Sequence, residues 1–487
     1  MSKRSLLWAC SIGFLLGNFL ASVTGFGWPI GVSVLLFALS TIMLAREHYA
    51  IIIFCMLISM SVGVFRYEMI PELPTVRGST SHSYVGDVIE EPKETESGTS
   101  FVVRLVATSS ASRLKMYASI LGNSDIRYGD RVSITRKLVS VQEEKVPDYW
   151  KTYLKTQGIG YEVKNARLTF IEHGHGNPLL TKLFSIKQFV ISKIERSIPE
   201  PEAALLSGIL LGARSTLGKE LSDQFNKVGV SHIIALSGFN ITIIATAIMY
   251  LFAQITFVPM TFGIYASGMV IILFVLMTGA SASASRAAVM ALILLLARRE
   301  GRTYDAGAAL IVAAVCMVLW NPFVLMNDFG FQLSFLAAVG IIWLMPLLEE
   351  KAKHIPKLYG LREVLLGTIA AEAMVMPLII YKTGVVSLIS LIANALILPV
   401  LPPLMALGGL FVIVALLGYH LALPFAWLTF LTLGYVIAVV DFLYQVPYAF
   451  IIIPSVSLVL VLVWYMLLIY SMLQYHVWHK TSETRLR

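Results

Sequence analysis

The chain has 487 residues, of which 57% are hydrophobic and 14% charged, and its net charge is +8. Charge content well below the roughly 25% of soluble domains, with apolar runs near 20 residues recurring throughout, excludes a soluble globular protein. The positive balance fits ordinary positive-inside loop bias and is also compatible with anionic partners or anionic lipids.

Residues 1–65 hold three apolar runs, near 6–23, 28–44 and 49–65, and these predict a three-span membrane unit. Lys3 and Arg4 precede the first run, Arg46 separates the second from the third, and the link "TGFGWP" carries no charge. The positive-inside rule then puts the N-terminus in the cytoplasm and the chain outside after Phe65. A cleaved signal peptide is the other reading of the first run, because "NFLASV" places small residues near its end. Either reading leaves the next segment outside.

Residues 66–178 are polar and punctuated by Pro, Gly and Ser. Five short runs alternate with period 2: "SYVGDVIEEP", "SFVVRLVATSS", "RLKMYASIL", "RVSITRKLVSV" and "ARLTFIEHG". They predict a small extracytoplasmic β-barrel of OB-like type, with a sandwich as the alternative. Over 66–172 there are 15 Lys and Arg against 14 Asp and Glu. Contact with nucleic acid there would need a local basic patch or strand aromatics. Residues 179–200 follow as an amphipathic helix. Leu179, Leu183, Ile186, Val190 and Ile194 recur at helical spacing, and Lys182, Lys187, Lys193 and Arg196 interleave. Such a helix lies along a membrane surface or packs on the protein's own surface.

Residues 201–476 are almost entirely apolar, with nine or ten further runs near 229–253, 262–278, 283–298, 305–320, 331–348, 362–383, 386–402, 404–418, 421–446 and 454–474. The expected fold is a polytopic α-helical membrane protein of about 11–13 segments. Its extracytoplasmic β-domain sits between the third and fourth. Several runs are short enough to be re-entrant. Residues 477–487 form a basic tail. No repeat of 20–50 residues and no inverted halves are visible, which disfavours a small-solute transporter. Cys10, Cys55 and Cys316 lie in apolar runs and read as buried hydrophobes.

Polar groups interrupt this half. In "SHIIALSGFNIT" (231–242), Ser231, His232, Thr242 and Thr246 fall within about a 100° arc of a straight helix, with Ser237 and Asn240 nearly opposite. One regular helix would therefore be polar on two faces, and a break at Ser237-Gly238 removes the conflict. Irregular backbone at membrane depth is interior, so these groups line a cavity or bond helices together. In "MTGASASASRAAVMALILLLARR", Arg286 follows a run of small residues; it faces a cavity or snorkels from a helix start. In "NPFVLMNDFGFQLSFLAAVGI", Asp328, Gln332 and Ser334 enter a span, and Asp328 is either a site residue or a helix N-cap. Glu372, Lys382, Asn394 and Asp441 are further interruptions.

No Gly-x-Ser-x-Gly elbow and no phosphate-binding loop occurs, and His173 and His175 have no ligand cluster beside them in sequence. No metal or cofactor is implied. The stretch "LLSGILLGARSTLGKELSDQFNKVGVSHIIALSGFNITII" resembles a signature of the ComEC-type competence channel family, through Gly208, Gly212, Phe225, Gly229, His232 and Ser237-Gly238. "NPFVLMNDFGFQLSFLAAVGI" resembles its second signature, "ASRAAVMA" its Arg-containing span, and "DYWKTYLKTQGIGYEV" the element closing its extracellular OB-like domain. The resemblance implies a channel that passes single-stranded DNA across the cytoplasmic membrane in natural transformation. Its expected partners are membrane lipids, an external DNA receptor, a cytoplasmic ATP-driven motor and a separate nuclease. The path residues expected from the polar interruptions and the resemblance together are His232, Ser237, Gly238, Asn240, Arg286, Asp328, Gln332 and Ser334. Two departures stand out: relatives often carry His at the place of Asn240, and many end in a metallo-β-lactamase-like domain whose His-x-His-x-Asp-His motif does not occur here. The competing reading is an intramembrane hydrolase or lipid-linked transferase using His232, Asp328 and Glu372.

Overall fold

In the computed structural model the described residues are 3–25, 27–44, 48–70, 82–95, 98–106, 114–122, 124–136, 139–140, 148–213, 217–234, 238–253, 259–354, 360–453 and 456–485. Helices α1 (Lys3–Thr24), α2 (Gly27–Leu44) and α3 (His48–Glu68) open the chain. Strands β1 (His82–Val88), β2 (Lys93–Thr95), β3 (Gly98–Leu105), β4 (Lys115–Leu121), β5 (Arg131–Arg136) and β6 (Val139–Ser140) follow. Next come α4 (Asp148–Thr156), β7 (Ile159–Val163), β8 (Arg167–Glu172) and α5 (Pro178–Ser197). The apolar half runs α6 (Glu202–Leu211), α7 (Lys219–Val228), α8 (Ser231–Ile234), α9 (Gly238–Ala253), α10 (Met260–Met277), α11 (Ala282–Arg299) and α12 (Ala306–Trp320). It continues through α13 (Val324–Asn327), α14 (Phe329–Val339), a π-helical turn (Gly340–Leu344), α15 (Met345–Lys351) and α16 (Leu361–Thr383). It ends with β9 (Val385–Ser387), α17 (Ser390–Ile397), α18 (Leu401–Leu417), α19 (Tyr419–Tyr444), β10 (Phe450–Ile452) and α20 (Leu458–Arg485).

Six helical stretches among the described residues are long and apolar enough to cross a membrane: Lys3–Thr24, Tyr49–Glu68, Phe329–Lys351, Leu361–Thr383, Tyr419–Tyr444 and Leu458–Tyr475. The bent pair α17–α18, turned by 48°, makes a seventh if it counts as one broken span. The expectation of 11–13 segments counted nearly every apolar run as a membrane segment, re-entrant ones included. Some of those runs form shorter helices, such as Ala306–Trp320. A fifteen-residue helix rises about 22 Å, short of the roughly 30 Å hydrocarbon thickness.

The chain forms two compact units, one of residues 1–188 and 245–332, the other of 189–244 and 333–487. In the first, α1 packs closely on α3. Gly13 and Gly17, one turn apart, face the backbone carbonyls of Met56 and Met60, where a Cβ would overlap them. Small residues at this spacing let helix backbones approach in a bilayer. Arg4 pairs with Asp305 at the start of α12, at 2.8 Å. Arg66 donates to the Leu319 and Trp320 carbonyls at its end, at 2.8 and 3.0 Å. The start of α1 and the end of α3 therefore lie at opposite ends of α12.

The same unit holds an eight-stranded sheet of order β6-β7-β4-β3-β1-β5-β8, with β2 also paired to β3. All five alternating runs of the sequence are strands. The sheet path is open among the described residues, with β6 and β8 at its ends, where a closed barrel was expected. β7 enters parallel to β4 after α4 and so extends one edge. β3 is buried on both faces: Phe101, Val103 and Leu105 join the main core, while Val102 meets Leu154 of α4 and Ile159.

In the second unit α6 is interior, with Ala203 through Ile209 all buried. It packs with α7, α17, α18 and α19 around one core. Prolines shape the helices around it. Pro346 withholds the N–H that would reach the Ile342 carbonyl, and the helix widens into the π turn just before it. Pro377 likewise orphans the Ala373 carbonyl inside α16. The Trp464 indole N–H of α20 donates to that carbonyl at 3.0 Å, and the Tyr465 hydroxyl donates to the Met374 carbonyl at 2.9 Å. α20 thus satisfies the backbone that the proline opens.

Candidate functional site

The stretch 219–242 builds its geometry from the second unit. α7 is amphipathic and buries Phe225 and Val228. It ends in a left-handed Gly229 (φ 85°), with the Val230 N–H reaching the Phe225 carbonyl at 2.9 Å. A Cβ on Gly229 would lie 2.6 Å from Cβ of Ser390. The Ser387 hydroxyl donates to the Val228 carbonyl at 2.8 Å. α7 is thereby seated on the β9–α17 joint, and the chain is redirected into α8.

Two helices occupy the stretch read from sequence as one interrupted helix. α8 ends at Ile234 and α9 begins at Gly238; Ser237 lies outside the described residues. His232 is exposed on the protein surface and Gly238 is half-buried. Asn240 is 4% exposed, and its Nδ2 donates to the Ile209 carbonyl of α6 at 2.9 Å. Of the two readings open for Asn240, this bond carries helix-to-helix glue. Ser334 is half-buried on α14. Glu372, at the middle of the α16 span, lies beside Ser390 and Asn394 of α17.

Arg286, Asp328 and Gln332 belong to the first unit. Ser281 caps α11, accepting from the Ala284 N–H at 3.4 Å. Arg286 is half-buried in the helix's second turn, beside the buried Ala284, Ala287 and Ala288. The Asp328 carboxylate accepts the Phe331 N–H at 2.9 Å, so it is the N-cap of α14. The Gln332 amide donates to the Leu325 and Met326 carbonyls at 3.1 and 2.7 Å. Asp328 and Gln332 therefore meet at one elbow, where they satisfy the backbone ends of α13 and α14.

Some residues make contacts that the sequence did not assign to them. The Asn321 amide donates to the Thr156 carbonyl at 2.8 Å, joining the end of α12 to the end of α4. Lys155 sits 5.3 Å from the Phe323 ring centroid. The "NP" and "YLKTQGI" motifs, 165 residues apart at that bond, thus touch. On α4, Trp150 and Tyr153 stack at 5.1 Å, Tyr117 meets Trp150 edge-on, and Trp150 donates to the buried Glu162 at 2.8 Å. Tyr153 stays 40% exposed at the edge of this aromatic cluster. Burial pushes the nearby Lys115 ammonium below its ordinary pKa; Glu90 opposes this and Arg104 adds to it. His173 meets the buried Asp130 at 2.6 Å and His175 meets Glu172 at 2.7 Å. Both histidines are taken up by carboxylates.

Several span-length apolar helices, backbone breaks satisfied from inside, and polar side chains bonding helix to helix define a polytopic membrane protein. Its identity comes from comparison. The model of the Competence protein family matches residues 209–478, more than half of the 487-residue chain. The protein belongs to that family. Over 218 residues it is 23% identical to ComE operon protein 3 of Bacillus subtilis (strain 168). That alignment covers 45% of this chain and 27% of the relative, so the match spans about a quarter of that protein's length. No solved structure matches the chain.

Proposed function

We propose that the protein takes part in DNA uptake during natural competence, as a channel that passes a single strand across the cytoplasmic membrane. The observation that carries this reading is membership of the competence family across 209–478, the part of the chain that holds most of the span-length helices. His232, Ser237, Gly238, Arg286 and Ser334 are assigned to the path, and Asn240, Asp328 and Gln332 to its supports. The sheet domain, OB-like by its family resemblance, is assigned outside the membrane, with the N-terminus in the cytoplasm. Its partly exposed Tyr153 is the aromatic assigned to base stacking, which is tolerant of sequence. Force and strand degradation are assigned to separate partners, an ATP-driven motor and a nuclease, and delivery to an external DNA receptor.

The test is genetic. Deleting the gene should leave donor DNA bound at the cell surface while internalised DNA and transformants fall by several orders of magnitude. Uptake at the wild-type frequency removes the reading. Arg286→Ala and His232→Ala should each lower transformation about tenfold at unchanged membrane abundance, as loss of one charged or polar contact of about 1.4 kcal/mol would. Normal transformation at normal abundance takes that residue off the path.

A further inference from the structure

Helix α5 has two faces that the structure separates. Its inner face is occupied: Lys187 is buried and pairs with Glu91 at 2.6 Å, the Gln188 amide donates to Glu91 at 3.0 Å, and Ile191 and Ile194 are buried. Its outer face carries Leu179, Lys182, Ile186, Phe189, Lys193 and Arg196. At roughly 100° per residue these six fall within an arc of about 100°. The three apolar members stay 50%, 45% and 52% exposed in chain order, although each is a large hydrophobe. The exposed Glu195 lies on the other side of the helix. No acid interrupts the stripe.

We propose that α5 lies along the membrane surface and that this outer stripe docks on an anionic bilayer. Hydrophobes alternating with cations suit a surface that is itself apolar below and negatively charged above. The apolar groups enter the acyl boundary, and the long Lys and Arg stems keep their charges at headgroup level. Lys193 already lies over the Phe189 ring, 5.3 Å from its centroid, so cation and hydrophobe share one footing. The chain supplies the proximity: α5 ends at Ser197 and the interior apolar α6 begins at Glu202. Five residues reach at most about 18 Å. A helix made to hold a DNA strand would need the cations but not three exposed hydrophobes between them. The inference is independent of the DNA-channel reading.

The full chain, with Cys10, Cys55 and Cys316 replaced, is reconstituted in nanodiscs of phosphatidylcholine with or without phosphatidylglycerol. A fluorescent label is attached at Ile186→Cys or, as the control on the opposite side, at Glu195→Cys. Brominated lipids should quench the label at 186 at least about threefold more than the label at 195, and more strongly in the anionic discs. Equal quenching at the two positions overturns docking. Equal quenching at 186 in both lipid mixtures overturns the choice of anionic lipid. An aqueous quencher that reaches 186 until a single-stranded oligonucleotide is added would show a nucleic-acid surface and overturn the proposal. Lys182→Glu with Arg196→Glu should abolish the difference between the two lipid mixtures. Lys182→Arg should preserve it, which separates charge from folding.

Discussion

Gly229 and Asn240 flank His232 and hold its segment by different physics. Gly229 has a left-handed backbone and no room for a Cβ against Ser390. A side chain there meets both a conformational cost of about 1–2 kcal/mol and an overlap that must push α7 off α17. Asn240 makes a buried bond to a backbone carbonyl. Bonds of this kind between membrane helices are worth about 0.6 kcal/mol on average, because the partners find substitutes. Gly229→Ala should therefore lower the thermal midpoint in detergent clearly more than Asn240→Ala does. An Asn240→Ala midpoint as low as that of Gly229→Ala would contradict this ordering. The Asp328 cap falls between: Asp328→Ala frees the Phe331 N–H at a cost of about 1 kcal/mol, and Asp328→Asn, which can still accept it, should recover most of the loss.

At the scale of elements, the kink of α16 and the helix that repairs it make one device. With Pro377 in place, the Ala373 carbonyl depends on the Trp464 indole. Trp464→Phe should cost about 1 kcal/mol in that background. In a Pro377→Ala background the restored N–H reaches Ala373 within the helix, and the same change should cost almost nothing. The double-mutant cycle measures this as a coupling of about 1 kcal/mol; additive effects would show that the indole bond is incidental. Much of the element pattern could be read from the chain. Period-2 alternation found five strands, because a half-covered sheet repeats its burial every second residue. It missed β7, whose five residues are all buried and therefore do not alternate. Helical angles found the change of helix near Gly238. Local sequence could not show that Asp328 and Gln332 serve the α13–α14 elbow, because a polar residue in a span reads the same whether it faces a cavity or a backbone end. Asn321 was legible only as part of a motif: its partner, Thr156, is 165 residues away.

For the whole molecule the sharpest expectation concerns sidedness. Arg4 meets the start of α12 and Arg66 meets its end, so residue 4 and residue 66 lie at opposite ends of the same helix. With Lys3 and Arg4 held in the cytoplasm, as the positive-inside rule predicts, the chain after α3, and with it the sheet, is expected outside. In the protein freed of its native cysteines, Asp125→Cys, exposed on the sheet domain, should react with a membrane-impermeant maleimide in intact spheroplasts. Lys3→Cys, exposed at the start of α1, should react only after the membrane is permeabilised. Reaction of Lys3→Cys alone would invert the topology and turn the sheet toward the motor side. Reaction of both in intact cells would place the N-terminus and the sheet on one side, as two crossings before the sheet, α1 and α3 alone, would.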